Sequence, residues 1–242
     1  MIKTPSVFGI KQGNSPWPAA LIGMVVIKAI LSLAVKPGSF VVSYSGISYF
    51  LLLMLATGFA IRNAIRNVLG GRLFWALLGV AFALWGANQG LQLYYQLGLR
   101  QEVPGNSIAD PLLFMHVGAL MAALATLPHR DAPDRSPYAS MLNALLVTFF
   151  WTLLYGYMVF PYQYFNSSPP PFTYDLRFDV LYLCGNLALI SAVALLFLRV
   201  KNSWKSIYFH LLAASALYAL SSAIANLAAD YLGGYVDRKS VV

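Results

Sequence analysis

Residues 72–129 decide the fold: RLFWALLGVAFALWGANQGLQLYYQLGL over 72–99, RQEVPGNSIAD over 100–110, and PLLFMHVGALMAALATLPH over 111–129. No charged residue lies between Leu73 and Leu99, or between Pro111 and Pro128. A water-soluble helix sets a charged or polar face opposite its apolar stripe; neither run has one. At ~1.5 Å per residue, each is long enough for a bilayer core of ~30 Å. The polar residues inside them are Asn88, Gln89 and Gln92 in the first run and His116 in the second. A polar group facing lipid has no hydrogen-bond partner, so these four are expected on the interior side of a membrane bundle.

The bulk composition agrees. Of 242 residues, 59% are hydrophobic and 10% charged, against roughly 25% charged in soluble domains. The net charge is +8, from 16 Lys and Arg against 8 Asp and Glu. There is no basic face interleaved with exposed aromatics, so nucleic acid is not an expected partner. The one cysteine, Cys184, lies in an apolar run. It allows neither an intramolecular disulfide nor a thiolate metal cluster.

Working outward, the chain reads as an all-α, polytopic integral membrane bundle. A polar segment over 1–16 precedes expected helices at about 17–35, 44–61, 73–98, 111–127, 138–160, 178–198 and 206–229, seven spans within 17–230, and a tail over 231–242 follows. The first run is expected to be retained as a helix, because Lys28 interrupts it and no soluble domain follows it. Pro169, Pro170 and Pro171 forbid helix between the fifth and sixth spans. Gly86 and Gly90 form a G-x-x-x-G, a helix-packing pattern.

Charge sets the orientation. The N-terminal segment and the links after spans two, four and six carry Lys3, Lys11, Arg62, Arg66, Arg72, Arg130, Arg135, Arg199, Lys201 and Lys205. The links after spans one, three and five carry Lys36, Arg100 and Arg177. Basic residues favour the cytoplasmic side. The expectation is a cytoplasmic N-terminus, residue 230 outside, and a location in the bacterial cytoplasmic (inner) membrane.

Candidate site residues are Asn88, Gln89, Gln92, His116, Asp110 and Asn226, with Glu102 and Asp230 near the same outer mouth. They line an outward-open polar cavity or hold helices together; the sequence leaves both open. Asp110 also suits an N-cap with Pro111 at the first helical position. The histidines His116 and His210 fall at depths roughly 15 Å apart, at ~1.5 Å per residue, too far to share a metal or haem iron. No metal, cofactor or catalytic residue is expected, and no phosphate loop, nucleophile elbow or paired-carboxylate site is present in the sequence. His116 is expected to face the helix carrying Asn88 and Gln92 and to bridge amides there; its protonation would then shift helix packing.

From Arg72 to Tyr231 the chain resembles the N-terminal membrane-sensor region of certain bacterial sensor histidine kinases and diguanylate cyclases, of the type known from Acidobacteria. The resemblance rests on 72–99, EVPGNSIADPLLFMH over 102–116, ALMAALATLPH over 119–129, PYQYF over 161–165, DVLYLCGNLALI over 179–190, and YFHLLAASALYALSSAIANLAADY over 208–231. It implies a multi-helix input module that feeds a cytoplasmic kinase or cyclase, and a homodimer in the kinase case, with an unspecified small-molecule ligand. This sequence contains no phosphoacceptor helix, ATP-binding domain or GGDEF-type domain. The expected role is a sensory input module without its own catalysis. A small membrane transporter or channel component is the alternative.

The last six residues, DRKSVV over 237–242, can be encoded by GATCGGAAGAGCGTCGTG, a widely used sequencing-adapter string. They are expected to be non-native, with the gene continuing into an output domain.

Overall fold

The computed structural model describes residues 39–67, 69–101, 108–129, 137–161, 176–201 and 203–233, together with Gly23, Val26 and Ile27, which are helical. The rest of the expected span 17–35, the segment 1–16, the Pro169–Pro171 stretch and residues 234–242 lie outside the described residues. So do Lys28, Glu102 and the side chains of Asn226 and Asp230.

The described chain is helical throughout. It comprises α1 (Ser39–Arg66), α2 (Leu69–Leu93), a π-helical turn (Tyr94–Leu99), α3 (Ala109–Ala125), α4 (Pro137–Met158), α5 (Leu176–Arg199) and α6 (Ser203–Gly233). Helices alone satisfy every backbone group within the segment, as a hydrocarbon surround demands. Four of them are long and apolar enough to cross a membrane: α1, α2 with its π turn, α4 and α5. Large apolar side chains cover the outside, Phe149, Phe150, Leu153 and Leu198 among them. That surface belongs in lipid, so the fold is that of a multi-pass membrane protein.

α3 is the centre. It is 17 residues long and apolar on all sides, with Phe114, His116, Val117, Gly118, Ala122 and Ala123 buried. A helix with no polar face is stable only when surrounded. α2, α4 and α5 surround it, α1 packs on α2, and α6 packs on α5. The G-x-x-x-G of α2 lies against α1, with Gly86 beside Leu53 and Met54 and Gly90 beside Phe50.

The helix ends have local causes. Arg100 and Gln101 both donate backbone N–H bonds to the Tyr95 carbonyl, and Arg100 takes the left-handed conformation at φ 53°. That closes the helix much as a C′ glycine would. α3 ends at Thr126, whose hydroxyl donates to the Ala123 carbonyl at 2.7 Å. Leu127 follows at φ 45°, then Pro128, which cannot continue a helix. α3 begins at Ala109 with Ile108 at the N-cap, not at the expected Asp110–Pro111 step. Asp110 and Pro111 both fit inside the first turn, where a backbone N–H is unpaired anyway and a carboxylate is favoured.

Trp151 of α4 braces the core. Its indole stacks on Phe114 of α3, centroids 4.7 Å apart, and its Nε1–H donates to the Phe114 carbonyl at 2.8 Å. The pyrrole edge lies against Gly118 of α3 and the six-membered ring against Gly185 of α5. A methyl group added at Gly185 would stand 2.5 Å from Cη2 of Trp151, and one at Gly118 would stand closer still to the ring. Only glycine admits the indole at both places.

Candidate functional site

One face of α2 carries Trp85, Asn88 and Gln92, spaced by three and four residues. One face of α3 carries Ala109, Leu113 and His116 by the same arithmetic. The two helices run antiparallel and set these faces together.

Two polar contacts result, and they are separate. In the first, Asn88, 2% exposed, donates from Nδ2 to the Ala109 carbonyl at 2.6 Å. Gln92 donates from Nε2 to Asn88 Oδ1 at 3.1 Å. This pair ties the C-terminal part of α2 to the start of α3. In the second, His116, also 2% exposed, places Nδ1 at the carbonyl of Leu113 on its own helix. Its ring stacks on Trp85, centroids 4.7 Å apart and planes 22° from parallel. His116 is therefore buried towards α2, as expected, but its partner there is an indole rather than the Asn88 and Gln92 amides. The reason is register: Asn88 is already engaged by Ala109, seven residues before His116 on α3.

Trp85 is where the helices meet. Tyr49 of α1 presents an edge to it at 5.6 Å, and Tyr218 of α6 does so at 4.8 Å. The Tyr218 hydroxyl in turn hydrogen-bonds the Tyr182 hydroxyl of α5. Beside Tyr182, Asn186 donates back to the Tyr182 carbonyl at 3.0 Å. Side chains from α1, α2, α3, α5 and α6 thus form one connected group. Sequence reasoning missed Trp85, Tyr49, Tyr182 and Tyr218. Their signal was the hydroxyl or indole N–H of an aromatic residue deep in an apolar run, which needs a partner when buried.

The other expected residues fall elsewhere. Gln89 is half-buried against Gly46 of α1. Asp110 is half-buried in the first turn of α3 and engaged there. Asn226 lies along α6. His210 is exposed and bonds the Ser206 carbonyl of its own helix at 2.6 Å. At the far end of the bundle, His129 Nδ1 and the hydroxyl of the fully buried Tyr208 are 3.0 Å apart, linking the segment after α3 to α6. Among the described residues no group of three His, Cys, Asp or Glu side chains is placed to hold a metal ion. A void of about 10 Å³ beside Phe74, Leu120 and Val193 is too small for a ligand. A larger open groove, about 280 Å³, runs between α1 and α2.

The connected aromatic group can transmit a change of packing between helices. Comparison with protein-family models, with curated proteins and with solved structures yields no match.

Proposed function

We propose that this chain is the membrane-embedded sensory input module of a bacterial signal-transduction protein of the histidine-kinase or diguanylate-cyclase type, working in the cytoplasmic membrane. The observation that carries this reading is the meeting of α1, α2, α3 and α6 at Trp85 and His116, with α5 joined to them through the Tyr182–Tyr218 hydroxyl contact. A stimulus that displaces one of these rings must move the others, because packed cores switch between discrete arrangements rather than deform continuously. A ligand, or a state of the bilayer, that favours one arrangement shifts the population of both. The output is then a kinase or cyclase domain on the cytoplasmic side, and the working unit is a dimer.

The coding sequence downstream at the native locus tests the class. A kinase or cyclase domain there supports the reading; a transporter half overturns it, as does solute flux through the purified chain in liposomes. His116→Leu then separates roles within it. A packing role changes stability and leaves signalling intact, whereas a sensing role abolishes the response in a receptor that remains folded.

A further inference from the structure

The groove between α1 and α2 is lined by Ile61, Ala64 and Ile65 from α1 and by Arg72, Ala76, Gly79, Val80 and Ala83 from α2. Small residues make it. Ala64, Ala76, Gly79 and Ala83 leave a trough of about 280 Å³ where larger side chains would close the seam. From Arg72 to Ala83 the trough runs roughly 16 Å along the helix, at ~1.5 Å per residue. That length takes up much of one leaflet of a ~30 Å hydrocarbon core. Its walls are largely apolar, and three of their side chains, Ile61, Ile65 and Val80, are exposed.

One end differs from the rest. Arg72 lines the groove and is exposed; α1 ends in sequence at Arg66, with Arg62 one turn earlier, and both are exposed. Among the described residues none of the three forms an ion pair. No acidic residue occurs in the chain before Glu102, so α1 and α2 hold nothing to neutralise them. The site therefore has a narrow apolar trough of acyl-chain length and, in its lining, the Arg72 cation, which has no ion-pair partner among the described residues. A guanidinium is well matched to a phosphate, which it can bind with two parallel hydrogen bonds. Basic pockets between membrane helices take anionic headgroups for the same reason.

We propose that this groove is a binding site for an anionic phospholipid, one acyl chain lying along Ala76, Gly79 and Ala83 and the phosphate on Arg72. The chain fills a gap that bulk lipid would fill only transiently, and dispersion contacts along the trough hold it. The charge selects the headgroup. A free phosphate compound reaches the arginines but leaves the trough empty, so it binds weakly.

Native mass spectrometry of the detergent-solubilised protein tests this, with dioleoyl phosphatidylglycerol, dioleoyl phosphatidylcholine and glycerol 3-phosphate as probes. Phosphatidylglycerol is expected to stay bound and the other two to be lost. Arg72→Gln should weaken retention about fivefold, the usual effect of one basic residue at an anionic headgroup. Ala83→Phe, which fills the trough and leaves all three arginines, should weaken it at least as much. Both positions are exposed, and circular dichroism verifies the helix content of each; if one variant fails to fold, the other decides. Retention unchanged in the folded variants overturns the proposal. Equal retention of phosphatidylcholine does so too, as does an equal loss in Lys201→Gln, a cation away from the groove.

Discussion

The imidazole of His116 lies flat on the indole of Trp85, 4.7 Å between centroids, and so joins α3 to α2 without an ion or an amide. The ring, more than the ring nitrogens, holds this contact, because Nδ1 is turned to the Leu113 carbonyl within α3. His116→Phe keeps an aromatic face and should cost less than about 1 kcal/mol; His116→Ala loses the stack and opens a cavity, at about 2–4 kcal/mol. Thermal unfolding in detergent measures both. Equal losses would show that the imidazole nitrogens, and not the stack, hold the helices.

Asn88 should matter more than Gln92. Asn88 reaches the Ala109 carbonyl of the next helix, whereas Gln92 bonds only to Asn88. Asn88→Ala is expected to cost about 1 kcal/mol, an ordinary interhelical hydrogen bond in a membrane, and Gln92→Ala less. Asn88→Asp should be worse than either. A buried carboxyl must either carry its charge or be held protonated, and the cost of holding the proton grows as pH rises. An Asn88→Ala variant as stable as wild type would show that the bond to the Ala109 carbonyl does not hold the helices.

The Trp151 contacts set a test of glycine. Gly118→Ala and Gly185→Ala each force the indole off its seat, and each should cost about 1–3 kcal/mol, the range for overpacked cores. Adding Trp151→Leu to either should recover part of that loss, since the clashing ring is gone. Chemical denaturation of these four variants and of Trp151→Leu alone reads the coupling directly; strictly additive effects would mean that the ring has room to move.

Orientation has its own measurement. Reporter fusions placed after Arg72, Arg130 and Lys201 should all read cytoplasmic, following the alternation of basic links. A periplasmic signal from any two of them defeats the assignment.

The helices were legible because charge is nearly absent from them and the charges that exist mark their ends: Arg66 closes α1 and Arg199 closes α5. The burial of His116 and its direction towards α2 were legible too, since a lone histidine in an apolar run has few affordable orientations. Its partner was not. Five helices contribute to the Trp85 group, and the contact between Trp85 and Tyr218 joins residues far apart in sequence. An apolar membrane helix has little amphipathic periodicity to say which aromatic faces which neighbour. The π turn at Tyr94–Leu99 was likewise invisible, because YYQLGL reads as ordinary helix; its cause is the closing geometry at Arg100. Asp110 and Pro111 suggested a helix start that the structure places two residues earlier than Pro111, since the first turn tolerates both.

The seat of Trp151 limits how this bundle moves. One end of the indole abuts α3 at Gly118, the other abuts α5 at Gly185, and the Nε1–H bond to Phe114 keeps the ring from sliding out. α3 and α5 are therefore held at a fixed spacing, one indole length, and cannot close on each other while the ring stays in place. A relative movement of the two helices that keeps the ring seated would therefore have to be a tilt or a turn about Trp151, as about a fulcrum, and not a change in how far apart they stand.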